Sequence, residues 1–568
     1  MASPERIPDD EWRLDEEPIE RAEPEPPSAA PTARIAFNLS HQRLTRAVYV
    51  VTAEHLGWYL VAAYALITRA IALGARPLDP APATDALAAF LIAAHGRAAF
   101  ALSDASWVTI VQGWIFATVG ATDANSRIVV TLCGLLLIAT GFAMRPALGR
   151  AGALTFAALI AISPSVTYFS RGGSTVIASI AFMMVAVAIA ESMRRRPGVL
   201  RAAGLGVAIA LWLTADPIGY VTAATAIVSL ILVGAVAAVR ANHRRLRIRI
   251  WWVRRRLLVV VCALVTAGLW LILTTAFFHR SLATELDYCL HAAFALPTIP
   301  IQHGLHRFEP PSMIFQQGLR RLLPILAAYE FLIVILAIAG AFAIVSRRVG
   351  DRFAAWSMVW AIASIAAFAS VGATRSDAVV AILLPLAVVA AYAVDWTHQL
   401  ERWSSIRYAI AAGVAVTLYV QFATNFVYPA PDVSEAPWRR HALLFWSEPA
   451  TSIQTVRECA RVRSAVPPAG ASAMIPDDAP QLQWYLRDYA PTASPASGDV
   501  VVTTGKMQSG ALAGNPDAPQ FGFEEWWTPD FHSLTTARAL RYFFTQRAWS
   551  DVEIRDLEIA TPPQKPNP

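Results

Sequence analysis

A few polar side chains interrupt long apolar stretches in this 568-residue chain, and their types suit acid–base and anion chemistry. Asp85 and His95 lie between two apolar runs early in the sequence. Asp85 reads as a helix cap, because Asp near a helix start accepts backbone N–H bonds, or as a carboxylate base. His95 either hydrogen-bonds at an interface or touches substrate. Arg171 ends one apolar run and Arg375 precedes another. Such a guanidinium snorkels to lipid headgroups or grips a phosphate, whose oxygens match its planar fork. Glu330 sits near the end of an apolar run. A charge inside a membrane helix costs about 2.5–3.5 kcal/mol on insertion scales, so Glu330 is expected to pair with something. His303, His306 and Arg307 share one polar segment and read as a solvated loop or as sugar or phosphate contacts. Asp216 before Pro217 reads as a turn between helices. Trp526 and Trp527 pack in a core or stack on sugar rings.

The elements that must position these groups are set by composition. The hydrophobic fraction is 56%, the charged fraction 15% and the mean hydropathy +0.45. Soluble domains carry roughly 25% charge, so the bilayer must serve as part of the solvent. Apolar runs near the roughly 20 residues that span a bilayer predict eleven transmembrane helices: 56–73, 128–144, 151–169, 175–193, 202–214, 220–239, 257–278, 322–346, 353–371, 379–396 and 408–428. The net charge of +6 is nearly all arginine, with lysine only at Lys506 and Lys565, a bias that points to a GC-rich bacterial genome. The arginines crowd short loops, above all 240–256, where they orient the chain rather than bind nucleic acid. The four cysteines are scattered, with no CxxC or Cys/His cluster to suggest a metal.

Arginine-rich loops face the cytoplasm, which puts the N-terminus inside and the C-terminus outside. Residues 1–44 are acidic and Pro-rich and read as a disordered cytoplasmic tail. The transmembrane domain runs over 45–428, with external loops at 75–125 and 279–321. Counting crossings requires an even number between 75 and 125, and zero is simplest. The apolar stretch there then lies on the membrane surface, with Trp107 and Trp114 at the interface. From 429 to 568 long apolar runs stop, and alternating helix and strand patterns predict an extracytoplasmic α/β domain with a disordered end. Its predicted pieces are helices at 451–462 and 480–488 and strands at 471–475 and 499–503.

The stretch Gly74-Ala75-Arg76-Pro77-Leu78, followed by Thr84-Asp85 and His95-Gly96, resembles the first external loop of GT-C glycosyltransferases related to the family 39 protein mannosyltransferases. The nearest branch is the prokaryotic mannosyltransferase-like, flippase-activity-associated group. Ser126-Arg127, Ser163-Pro164, Tyr168-Phe169-Ser170-Arg171, Tyr329-Glu330, Arg375 ahead of Pro385, WYLRDY at 484–489 and EEWWTPD at 524–530 follow the order of that family's motifs. The resemblance implies transfer of a sugar from a polyprenyl-phosphate donor to a lipid or protein acceptor at the outer membrane face. A loop carboxylate then acts as base and basic side chains neutralise the lipid phosphate. It assigns Asp85 or Asp79 to the carboxylate role, and His95, Arg171, Arg375, Glu330, His303 and Arg307 to substrate. It implies no organic cofactor, although some relatives use a divalent ion.

The acidic motifs are degenerate. The family's Asp-Glu pair falls on Thr84-Asp85, its second acidic pair on Thr175-Val176, its loop histidine on Ala88, and the proline after His-Gly on Arg97. These losses leave open a non-catalytic relative that binds lipid-linked glycans or envelope partners. A secondary transporter would show internal repeats and charges near the midplane, and the sequence has neither.

Overall fold

The computed structural model describes residues 53–96, 106–239, 244–275, 311–346, 352–371, 376–397, 404–427, 447–449, 456, 472–475, 479–491, 500–504, 520–526, 530–545, 547–550 and 553–560. The body treated below belongs to the unit Gly57–Pro568. Its helices are α1 (Ala53–Ala70), α2 (Pro80–His95), α3 (Trp107–Val119), α4 (Asp123–Ala143), α5 (Arg145–Ile162), α6 (Pro164–Gly172), α7 (Val176–Arg195), α8 (Val199–Ala215), α9 (Ile218–Val239), α10 (Arg244–Thr274), α11 (Pro311–Tyr329), α12 (Phe331–Ser346), α13 (Arg352–Val371), α14 (Ala378–Thr397) and α15 (Ser404–Phe422). A π-helical turn, Ala423–Val427, ends α15.

Among the described residues seven helices are long and apolar enough to cross a bilayer, eight if a bent pair counts as one. They are α4, α5, α7, α9, α10, α13 and α15, and each falls on a span drawn from sequence. The expected eleven is higher for physical reasons. Both α8 (17 residues) and the apolar part of α14 (Ala378–Ala393) are short, and α1 carries Glu54, His55 and Arg69. The apolarity of α14 reflects burial on every side, since Val379 to Leu384 and Ala387 to Ala391 are all within 2% of complete burial. An all-round apolar helix is what a protein core also demands.

Two expected spans are broken. The run 151–169 divides at Ser163, where Pro164 cannot donate to the preceding turn and Ser163 caps the new helix α6 by accepting from Val166 N. The run 322–346 is two helices, α11 and α12, bent by 94° at Glu330. Hydropathy runs on through both breaks, so it does not register them.

Between α1 and α4 lie the two short helices α2 and α3. At 13 residues α3 is only ~20 Å long, too short for a ~30 Å hydrocarbon core. Trp114 points outward, but Trp107 does not. It packs edge-on against Phe182 at 5.4 Å and donates to Leu211 O at 3.0 Å.

Among the described residues six strands form one mixed sheet in the tail, in the order β1-β5-β6-β4-β2-β3. They are β1 (Ser447–Pro449), β2 (Ser472–Met474), β3 (Ala490–Pro491), β4 (Val500–Thr504), β5 (Gln520–Trp526) and β6 (Glu553–Ala560). β4 runs parallel to β2 and antiparallel to β6. The tail helices are α16 (Pro480–Tyr485) and α17 (Thr536–Thr545). The expected elements at 471–475, 480–488 and 499–503 coincide with β2, α16 and β4, whereas β5, β6 and α17 were not anticipated. The expected helix at 451–462 lies almost wholly outside the described residues.

Candidate functional site

A cleft of about 290 Å³, counting its open mouth, forms where α1, α4, α6 and the π-turn end together. It is lined by Ala72, Leu73, Arg76, Arg127, Tyr168, Arg171, Gly172 and Asn425. Asp79 borders it, because a Cβ built on Gly172 would stand 3.8 Å from Asp79 Oδ2.

The segment from α1 to α2 carries the carboxylate. Arg76 Nη2 donates to Asp79 Oδ1 at 3.0 Å, and both side chains are only 16% exposed. The Arg76 guanidinium also lies 4.1 Å over the Tyr168 ring, a cation–π contact that fixes its plane. Asp79 holds the N-cap position of α2 but makes no capping bond. Its carboxylate accepts from Arg76 instead. Burial pushes the Asp79 carboxyl up from its ordinary value, with Arg76 and then Arg127 opposing the rise and Asp377 adding to it.

Arg127 is buried. It donates to Leu73 O at 2.5 Å and Pro77 O at 2.8 Å. Its Nε has no acceptor among the described residues. Arg127 therefore holds the 73–79 segment by its carbonyls and places a positive charge beneath Asp79. Arg171 donates to Thr68 O and Ile71 O, both at 2.7 Å, and to Ala72 O at 3.3 Å. Those carbonyls lie at and just past the end of α1, where a cation is favoured. Burial, then Arg127 and Arg76, lowers the Arg171 pKa to about 10, so it stays charged at neutral pH.

The helix break before α6 aims Tyr168 and Arg171 at the cleft, and opposite charges hold its two sides. Arg69, fully buried, donates to Ile160 O and Ala161 O at the end of α5. Glu330 Oε1 accepts from Ser163 Oγ at 2.7 Å and Ser165 N at 2.9 Å at the start of α6. Each charge thus meets the end of a helix dipole that suits it. Gln421 adds bonds to Ala161 O and Thr167 Oγ1. The structural pairing expected for Glu330 is found, at the bend between α11 and α12.

The tail closes on the same segment. Tyr485 OH donates to Asp123 Oδ2 at 2.9 Å and accepts from Leu78 N at 3.1 Å, next to Asp79. Trp484 Nε1 donates to Asp123 Oδ1 at 2.8 Å. Arg487 donates to Ala121 O and stacks 4.0 Å from the Trp484 ring. Leu78, Ala83, Ala86, Ala89 and Phe116 form one buried cluster with Leu482, Trp484, Tyr485 and Leu486. The WYLRDY stretch is thus the wedge that seats the tail on α2 and α3.

Sequence reasoning names Asp79 and Arg171 as separate candidates, and Arg76, Arg127 and Tyr168 only as motif members; in the structure Arg171 lines the cleft and Asp79 lies beside it. It missed Asn425 and Asp377, the latter accepting from Ser174 Oγ at 2.9 Å. Asp85 is not a cap. It lies inside α2, half-buried, and does not line the cleft. His95 is exposed in the last turn of α2. Asp216 makes the expected turn by accepting from Ile218 N, and also takes Thr175 Oγ1 at 2.7 Å. Arg375, His303, His306, Arg307 and Trp527 lie outside the described residues. The divalent ion of some relatives does not fit what is described. Two guanidiniums, Arg76 and Arg127, act on Asp79, and no group of three or more His, Cys, Asp or Glu able to hold a metal occurs among the described residues.

No protein-family model and no curated protein matches the chain. Solved structures do. The crystal structure of ArnT from Cupriavidus metallidurans bound to undecaprenyl phosphate is similar with a TM-score of 0.52 and 15% identity, covering 89% of this chain and 98% of that one. Its apo state is similar with a TM-score of 0.50 and 14% identity over the same shares. An Archaeoglobus fulgidus oligosaccharyltransferase, in complex with Zn and sulfate, gives 0.39 and 13% over 77% of this chain and 62% of that one. The chain therefore has the polytopic membrane fold of ArnT.

Proposed function

We propose that the protein is a GT-C membrane glycosyltransferase that moves a sugar from a polyprenyl-phosphate donor to a hydroxyl of a lipid or protein acceptor. The cleft faces the outside of a bacterial plasma membrane, with the N-terminus in the cytoplasm and the 429–568 region outside. The observation that carries the reading is a carboxylate, Asp79, held by Arg76 and Arg127 beside a cleft that Arg76, Arg127 and Arg171 line. In the reaction the acceptor oxygen bonds to the anomeric carbon as the anomeric C–O bond to phosphate breaks. The phosphate leaves with the electron pair, and the acceptor proton passes to Asp79. Guanidiniums answer the charge that grows on the leaving phosphate. Arg127 is best placed to do so, since its Nε lacks an acceptor among the described residues.

The test is turnover of purified, reconstituted protein with polyprenyl-phosphate sugars. Wild type and Asp85→Asn are expected to turn over alike, and Asp79→Asn to lose at least 100-fold, within the range a positioned base supplies (about 10²–10⁴). Equal turnover in wild type and Asp79→Asn overturns the assignment of Asp79.

A second reading is a GT-C relative that binds the lipid-linked sugar without transferring it. Thr84, where the family's Asp belongs, is exposed and bonds Pro80 O, and Arg171 is already engaged by carbonyls. Saturable donor binding by a wild type that does not turn over selects that reading.

A further inference from the structure

The tail helix α17 presents two faces that make opposite demands. Its inner face is fixed to the membrane body: Tyr542 OH lies 2.8 Å from Tyr329 OH, and Phe543 packs edge-on against Phe331 at 6.4 Å. Its outer face carries Ala537, Leu540 and Phe544, which share one side of a helix at spacings of three and four. Leu540 is 56% and Phe544 57% exposed, and Arg538 and Arg541 are exposed beside them. Phe531, just before the helix, is exposed as well.

What covers this face follows from where it sits. Tyr419 OH donates to Phe544 O at 2.7 Å, and the two rings lie 6.4 Å apart. Tyr419 belongs to the spanning helix α15, 8 residues before Val427, the end of that span. At 1.5 Å per residue this is ~12 Å back from the end of the span. The outward side chains of Tyr419 and Phe422 on α15 are exposed in turn. The apolar face of α17 therefore continues the lipid-facing surface of a spanning helix.

We propose that α17 is an interfacial helix that lays Ala537, Leu540 and Phe544 into the lipid–water boundary and fastens the tail to the bilayer. An amphipathic helix with a basic polar edge lies in the interface plane in this way. The anchor works whether or not the cleft transfers sugar.

Two measurements test it. Unmodified protein in nanodiscs containing a diazirine-bearing phosphatidylcholine is irradiated and digested. Adducts on the 536–545 peptide are expected, and adducts confined to spanning helices overturn the proposal. Separately, Phe544→Cys and Leu540→Cys, in a background with the native cysteines replaced, are labelled with bimane beside an Asp488→Cys control. Asp488 is exposed elsewhere on the tail. Dibromo-phosphatidylcholine is expected to quench the two α17 probes at least threefold more than the control, with aqueous iodide giving the reverse order. Iodide access at position 544 equal to that at 488 overturns the proposal. So does quenching by neither agent, the outcome for a second copy or a soluble partner covering the face.

Discussion

Replacing Tyr485 by Phe deletes one oxygen and leaves the ring that packs beneath α2. That oxygen serves two groups. It donates to the Asp123 carboxylate at 2.9 Å and accepts from the backbone N–H of Leu78 at 3.1 Å. A hydrogen bond to a charged group is worth about 1.5–3 kcal/mol, and a buried donor left without an acceptor costs about 1–3 kcal/mol. Leu78 is fully buried, so water does not replace the lost acceptor. Asp123 is better placed, because it keeps the Trp484 indole bond at 2.8 Å and sits in the first turn of α4, where a negative charge is favoured. The net cost to the docked state is therefore about 3 kcal/mol, dominated by the stranded amide. That corresponds to about a hundredfold in the opening equilibrium of the 73–79 segment. Hydrogen exchange read by mass spectrometry on peptides covering 73–79 and 480–489 measures it. Both peptides are expected to exchange about a hundredfold faster in Tyr485→Phe, with the sheet unchanged. If the 73–79 peptide exchanges at the wild-type rate, the tail does not hold this segment.

Four further outcomes follow from the same geometry. Asp79 has a folded pKa above its ordinary value near 3.8. Its contribution to stability is therefore complete below that value and lost as pH rises through the folded pKa. The stability difference between wild type and Asp79→Asn, followed by thermal unfolding, should shift against the wild type across that window and be flat above and below it. Glu330→Gln keeps an oxygen for Ser163 and Ser165 and should cost less than about 1.5 kcal/mol, whereas Glu330→Ala strands both donors and should cost at least about twice as much. Gly340→Ala on α12 would drive a Cβ into the Val389 carbonyl on α14, where nothing flexible can give way. Overpacking there should cost about 1–3 kcal/mol or more, visible as a lower unfolding temperature in detergent. Chelator treatment should leave donor binding unchanged, and a loss restored by a divalent ion would contradict the charge balance of the cleft.

What the sequence could and could not reveal follows from which interactions leave a local trace. Every one of the seven qualifying spans is legible, since each is apolar over at least 18 consecutive residues whether it faces lipid or the protein interior. The breaks at Ser163 and Glu330 are not legible as breaks, although Ser163-Pro164 and Tyr329-Glu330 carry part of the family resemblance. The feature that makes them stable is a contact between residues 165 and 330, and another between 69 and 160. No window of one helix contains either pair. The same holds for Asp377, which acquires meaning only because Ser174 and Asp79 stand near it.

Asp85 and Asp79 differ for the same reason. The family pattern drew attention to the position beside the missing carboxylate, one and a half turns into α2. The chemistry of a buried cleft depends instead on what lies opposite. Asp79 precedes Pro80, and that proline starts α2 at once and forces the preceding backbone to stay extended (φ −65°, ψ 162°). That conformation is also the ordinary one for a capping residue, as at Ser106 and at Ser163 before Pro164, so the backbone alone does not keep Asp79 from capping. What does is the bond from Arg76, three residues earlier, which holds the carboxylate at 3.0 Å. Substituting Arg76 by Ala should let Asp79 swing back to cap α2, and turnover should fall without loss of the fold. Retained turnover in Arg76→Ala, with an unchanged exchange profile over 73–79, would show that the capping alternative does not compete.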